Sequence, residues 1–240
     1  ISSMGNHVIE DVGTNPEQPE DNNDDGDIGA NPEQPGDNND DGGDETEGGG
    51  GELTVPVISR EALPGEIAIN SADELGKIGK EYPLNRKYIL TSDINLSGID
   101  WEPIGDNSTD NSSSRFTGSF DGNGYKITGL TIDRPETNCV GLFGYTEGAT
   151  IKNVALEDIN VTGKDYTGGL VGRAERSTTI SNSYATGKVI GRENYTGGLV
   201  GWAGSSSTIS NSYATGKVKG VGNRTGGLVG WTDNSSITNS

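Results

Sequence analysis

Histidine and cysteine carry much of the proton transfer, nucleophilic attack and metal ligation done by side chains. This chain of 240 residues has one of each, His7 and Cys139. Ser-His-Asp and Cys-His catalysis need a histidine beside the nucleophile. A zinc-binding H-E-x-x-H helix needs two on one face. The sequence offers none of these. Cys139 stands beside Val140 in a strand-like run, where a lone thiol reads as a small buried hydrophobe. The glycines open no helix and make no phosphate loop. The expectation is therefore no catalytic residue, no metal ligand and no cofactor.

Carboxylates are the remaining acid–base candidates. Glycoside cleavage requires a pair on one face, about 5–10 Å apart. In the most regular part of the chain the acids are Asp165, Glu175, Glu193 and Asp233, read as none recurring at one repeat position. Two acidic hexapeptides, Asp21 to Gly26 and Asp37 to Gly42, begin like calcium loops with D-x-N-x-D-G. An EF-hand loop needs an acid at position twelve and flanking helices. Position twelve is Pro32 in one and Gly48 in the other, so a solvated linker is the better reading.

One set of residues points to binding. Directly after each G-L-x-G phrase stand Tyr145, Arg173, Trp202 and Trp231. If those phrases stack, the four side chains form a row. Exposed aromatics with an arginine make a platform for sugar rings or a protein partner. The competing expectation is that they stack on one another and only stiffen the surface.

The elements that must position this row are repeats. Y-T-G-G-L-V occupies 166–171 and 195–200, and R-T-G-G-L-V occupies 224–229. The period is 29 residues. I-S-N-S-Y-A-T-G-K-V follows at 180–189 and 209–218, and a third copy starts at Ile237. A fixed period of this size means a solenoid or array. Short β-rich segments broken by glycine exclude helical repeats. One such coil buries too little apolar surface to offset the ordering of its backbone, so coils must stack to fold. Gly168-Gly169 suits a tight corner with positive φ or close backbone approach. Thr186-Gly187 and Thr215-Gly216 read as a second corner. Asn153, Asn182, Asn211 and Asn239 share a position where side-chain amides can bond along the axis.

Upstream, Ile67–Asn70 reads as a strand. Ser71 to Glu74 is an S-x-x-E capping box that opens a helix from Ala72 to about Lys80. The natural task of that helix is to cover the open end of the first coil. Asp121 to Gly124 reads D-G-N-G, a turn. The first 52 residues hold 16 Asp and Glu and no Lys or Arg, leaving about −3 of the net −19 for the rest. Such a segment is expected to be disordered.

The phrase G-G-L-V-G followed by I-S-N-S-Y-A-T-G-x-V resembles the GLUG repeat of bacterial surface and secreted proteins. The stretches W-x-P-I-G, F-T-G-S-F-D-G-N-G-Y-x-I and V-G-L-F-G occur upstream in the order usual there, so the resemblance covers residues 67–240. It implies a β-solenoid within a large exported protein. Similar repeats occur in immunoglobulin A-cleaving metallopeptidases and adhesin-like proteins. The peptidase activity does not carry over, because its H-E-x-x-H is missing.

The expected architecture is an all-β, right-handed parallel β-helix. Residues 1–52 form a disordered acidic linker, 53–86 an N-terminal cap with a short helix, and 87–240 the β-helix. The chain starts at Ile1 and stops in mid-repeat, and is read as a piece that continues beyond Ser240. The expected function is a non-catalytic extracellular or cell-surface scaffold or adhesive module. The alternatives are an accessory region of an exported metallopeptidase and a carbohydrate-binding or cleaving β-helix. A host or matrix glycan or protein is the expected partner. The acidity disfavours nucleic acid, and no apolar run in the sequence suits membrane insertion.

Overall fold

The structure is a computed structural model that describes residues 59–106 and 112–240. Of the two units into which the chain divides, all described residues belong to the second, Glu52–Ser240. The acidic linker, its two calcium-like hexapeptides and His7 lie outside the described residues.

The second unit is a parallel β-solenoid of about five turns. A regular coil has three main strands, such as Val171–Glu175, Thr179–Ser181 and Tyr184–Gly191. Each pairs in parallel with the equivalent strand of the next coil. Val171 is in register with Val200, Ile180 with Ile209, and Ala185 with Ala214. The amide of Leu170 donates to Leu199 at 2.9 Å, and that of Leu199 to Leu228 at 2.9 Å. Equivalent residues therefore lie one strand spacing apart, as the 29-residue period requires.

Stacking produces three long sheets. One has seven strands, from Glu66–Ile69 through Lys87–Leu90, Ser119–Asp121, Thr150–Lys152, Thr179–Ser181 and Thr208–Ser210 to Ser236–Thr238. The second has four, Phe143–Glu147, Val171–Glu175, Val200–Gly204 and Val229–Asp233. The third is six-stranded and ends on Tyr184–Gly191 and Tyr213–Gly220. Inside, one column runs Tyr88, Phe120, Ile151, Ile180, Ile209 by register, and all five are buried.

Two corners differ from the sequence reading. Thr186-Gly187 and Thr215-Gly216 are not corners; they lie inside the strands Tyr184–Gly191 and Tyr213–Gly220. The register shifts between Ala185 and Gly187 against the preceding strand, where Asp158 has φ +56°. Gly187, at φ +130°, faces that bulge, and a Cβ there would meet the Ile159 carbonyl oxygen at 2.3 Å. The corner falls instead at the asparagines: Asn153, Asn182, Asn211 and Asn239 all have φ between 48° and 55°. Asparagine tolerates that left-handed conformation better than most residues. Its amides bond from Asn182 to Asn153 at 3.4 Å and from Asn153 to Asp121 at 2.9 Å. The firmer link between coils is the next residue. Ser183 Oγ accepts the Val154 amide at 3.1 Å, Ser212 Oγ that of Ser183 at 3.2 Å, and Ser240 Oγ that of Ser212 at 3.2 Å.

The helix is shorter than its apolar spacing suggests, Ala72–Gly76. Ser71 Oγ accepts the Glu74 amide at 3.3 Å, while Glu74 reaches back to the Asn70 amide at 2.8 Å. The Lys77 carbonyl accepts from the amides of Lys80, Glu81 and Tyr82, which closes the helix into a turn with Gly79 at φ +90°. Leu75 and Ile78 still reach the core. Its neighbouring strand Glu66–Ile69 pairs with Lys87–Leu90 as the first strand of the seven-stranded sheet.

Candidate functional site

The row after G-L-x-G lies on the four-stranded sheet. Tyr145 is in register with Arg173, Arg173 with Trp202, and Trp202 with Trp231. The glycine before each makes room for a second segment. A Cβ on Gly172 would stand 2.6 Å from both the Tyr166 carbonyl oxygen and the Val140 amide nitrogen. The repeat needs glycine there because another backbone passes, not because φ is positive. Close approach also accounts for Gly168 and Gly169, neither of which has positive φ.

That second segment brings a column the sequence reading missed: Cys139, Tyr166, Tyr195 and Arg224. Val140 bridges Thr167 and Thr167 bridges Thr196, which places the four one above another. All have left-handed backbones, with φ of 58°, 57°, 62° and 68°. The Tyr166 and Tyr195 rings stack at 4.8 Å and 3°. The signal for this column was the residue preceding each T-G-G, at the same 29-residue offset.

The two columns interlock through arginine. The Arg173 guanidinium lies 4.9 Å from the Tyr145 ring centroid, 5.0 Å from Tyr166 and 4.7 Å from Trp202. Arg224 lies 5.0 Å from Tyr195 and 4.7 Å from Trp231. Arg115 covers the outer side of Tyr145 at 4.6 Å. Cation and ring alternate, each contact contributing roughly 0.5–2 kcal/mol according to its desolvation. The sequence expectation of exposed rings holds only at one end. Tyr145, held between two guanidiniums, is 2% exposed, whereas Trp231 is 44% exposed.

Carboxylates line the edge of this row. Glu147 and Glu175 are in register; Glu175 aligns with Gly204 by the 29-residue period, and Gly204 with Asp233. Acids therefore do recur at one repeat position, contrary to the sequence reading, with Gly204 interrupting the column between Glu175 and Asp233. Glu147 and Glu175 are engaged. Glu147 pairs with both Arg115 and Arg176. Glu175 accepts from Arg173 Nε at 2.9 Å and from the Tyr145 hydroxyl at 2.7 Å. Burial pushes the Glu147 carboxyl up, but hydrogen bonds and charge from Arg115 and Arg176 outweigh it and hold it below the usual carboxylate range. A carboxylate kept ionised by two arginines is a poor general acid. Burial, then the bond to Glu175, pushes Tyr145 up to about 12.

Cys139 is buried, and desolvation pushes its thiol up to about 12. A thiol so held is inert as a nucleophile. It sits in a bend with left-handed backbone rather than in the strand the sequence suggested. Among the described residues no group of three or more His, Cys, Asp or Glu is arranged to hold a metal, and no helix is long and apolar enough to cross a membrane.

Comparison with known proteins agrees with this geometry. Residues 165–190 and 193–219 match the GLUG motif. Over 117 residues, 45% of the chain, it is 39% identical to Halomucin of Haloquadratum walsbyi, covering 1% of that protein. Over 112 residues, also 45% of the chain, it is 33% identical to Immunoglobulin A1 protease of Streptococcus sanguinis, covering 5% of it. A protein of Evansella cellulosilytica named as a candidate Gly-rich membrane protein is 38% identical over 94 residues, 39% of the chain and 10% of that protein. The fold is similar to the crystal structure of a candidate immunoglobulin A1 protease from Bacteroides ovatus. The TM-score is 0.50 at 19% identity, over 72% of this chain and 63% of that one. The chain thus spans a tenth or less of these sequence relatives.

Proposed function

We propose, starting from a chain that carries two GLUG motifs on a parallel β-solenoid, that it is a non-catalytic extracellular scaffold or adhesive module of a larger surface protein. The interlocked arginine–aromatic row carries this reading. It ties four coils together along one face and engages the carboxylates Glu147 and Glu175 that acid–base chemistry would need free. The relatives named as a halomucin, a membrane protein and an immunoglobulin A1 protease support a place at or beyond the cell surface. They also support a second reading, an accessory region of an exported peptidase, in which this unit is still the scaffold and the chemistry lies in other sequence.

The row itself has an adhesive reading, supported by the exposure of Trp231 beside Arg224. An exposed indole next to a cation suits the apolar face of a sugar ring. The test is to coat beads with the 240-residue chain and measure retention on arrays of glycans and matrix proteins, with Trp202→Ala/Trp231→Ala beside it. Retention that falls at least tenfold in the double variant supports adhesion through the row. Equal retention removes adhesion through the row and leaves that row as scaffold. Release of immunoglobulin A1 fragments or reducing sugar by the purified chain would overturn the non-catalytic assignment.

A further inference from the structure

We infer that the outward face of Tyr184–Gly191 and Tyr213–Gly220, together with Arg192, is a binding site for an acidic polysaccharide. This face belongs to the six-stranded sheet, not to the arginine–aromatic row, so it stands or falls apart from the adhesive reading above.

All 17 lysines and arginines lie within the described residues, and ten of them form ion pairs with described acids. Of the seven that do not, four are gathered here: Lys188, Arg192, Lys217 and Lys219. Lys188 is in direct register with Lys217, and Ile190 with Lys219. Neighbouring strands stand about 4.8 Å apart, and like charges directly opposite each other are destabilising. The position above Lys188 on the preceding strand is Asn160, which offers no charge. The described acids nearest this face pair with other cations or with none. Glu157 binds Lys126 at 2.9 Å and accepts from the Tyr184 hydroxyl at 2.7 Å. Glu193 pairs with Lys164 at 3.6 Å. Asp158, on the bulge, makes no ion pair with Lys188. Among the described residues these four cations thus stand together, Lys188 and Lys217 in repulsive register, with no acid paired to any of them. An external anion relieves that repulsion.

The flanking groups select the kind of anion. On the same outward face Tyr184 and Tyr213 stack at 4.9 Å and 5°, and Thr186 lies in register with Thr215 between the tyrosines and the lysines. Alternate residues along a strand are about 6.6 Å apart. A linear polymer laid along these strands meets phenol, hydroxyl and ammonium in turn, which matches sugar hydroxyls interspersed with carboxylates or sulfates. A bilayer would need large apolar side chains to enter it, and this face offers only Ile190 and Val221. Nucleic acid is disfavoured by the net charge. Each further coil of the same sequence adds another lysine to the column, so affinity rises with valency.

The test uses the full chain with four probes: polygalacturonate, heparin, neutral dextran and phosphatidylserine vesicles, at low and high salt. Binding of polygalacturonate or heparin at low salt, lost at high salt, is expected, with dextran and vesicles inert. The two anionic polymers separate carboxylate from sulfate recognition. Lys188→Gln/Lys217→Gln/Lys219→Gln changes only exposed side chains and should weaken binding at least tenfold with an unchanged circular dichroism spectrum. Lys77→Gln/Lys80→Gln/Lys87→Gln, an equal change of charge elsewhere, should leave affinity within twofold. The proposal is overturned if the native chain ignores both polymers, if the two triple variants weaken equally, or if vesicles are preferred.

Discussion

Glu66 shows how single side chains fasten the first strand of the solenoid. Its carboxylate accepts from Arg60 Nη1 at 2.6 Å, Arg60 Nη2 at 2.8 Å and the Leu63 amide at 2.9 Å. Those bonds, the Arg60 bond foremost, lower its pKa to about 2 from an ordinary 4.5. Arg60 is in turn fixed to the second coil. Asn123 Oδ1 accepts the Arg60 amide at 3.0 Å, and Asn123 Nδ2 donates to the Arg60 carbonyl at 2.7 Å and to that of Leu90 at 2.9 Å. A carboxyl whose folded pKa is depressed contributes stability fully present above its unfolded pKa and lost as pH falls toward the folded one. The expected result is that wild type exceeds Glu66→Gln in urea midpoint at pH 6. The difference should shrink between pH 4.5 and 2 and vanish below. A gap that is constant with pH would mean Glu66 acts through packing alone. Because Arg60 is partly exposed, solvent screening keeps the effect modest. Residue-level detail of this kind was only half legible. The Tyr145, Arg173, Trp202, Trp231 row could be read because it sits at a fixed offset from glycines. Tyr166, Tyr195 and Arg224 sit at a fixed offset too, but their left-handed backbone could not be read, because nothing in tyrosine or arginine marks it as glycine or asparagine does.

At the scale of elements, the repeat tolerates a change of length at one corner and not at its strands. Between Val171–Glu175 and Thr179–Ser181 the corner holds two left-handed residues, Arg176 and Ser177; after Val200–Gly204 it holds Ser205 and Ser206. Where the corner is one residue shorter it has a single one, Gly148 in an earlier coil and Asn234 in the last. The strands beyond keep their register in every case: Thr150 with Thr179, Thr179 with Thr208, Thr208 with Ser236. One extra residue is therefore absorbed as one extra left-handed step. Deleting Ser206 should convert its corner to the Asn234 form and cost no more than about 1 kcal/mol, since a left-handed serine is itself unfavourable by about that much. Deleting Ser210 instead, beside a corner of the same length in each coil, takes Asn211 and Ser212 out of line with Asn182 and Ser183 and shifts the strand that follows by one residue. Its urea midpoint should fall far below that of the Ser206 deletion, and equal midpoints would refute the corner account. The same physics explains which elements were readable. The strands carry apolar residues at fixed spacing and could be placed. Thr186-Gly187, which faces the bulge at Asp158, imitates a turn dipeptide, and the helix ends at Gly76 because the Lys77 carbonyl gathers three amides, which side-chain periodicity does not encode.

For the molecule as a whole, stacking sets how a local defect spreads. Large rings fill the early coils, with Phe116 and Phe143 at 4.9 Å and Phe120 and Phe143 at 5.3 Å. Later coils rely on smaller side chains, and a cavity of about 60 Å³ lies among Ile159, Ala185, Val189, Ala214 and Val218. Each coil touches mainly the one before and the one after, so its stability is shared with those two. Ile180, fully buried between Ile151 and Ile209, tests this directly. Ile180→Ala should cost about 2–5 kcal/mol. In native-state hydrogen exchange the loss should appear at Thr150–Lys152 and Thr208–Ser210, while Glu66–Ile69 and Lys87–Leu90 keep nearly wild-type protection. An even loss across all these strands would show instead that the solenoid opens only as one unit, with coupling between coils stronger than the intrinsic stability of any of them.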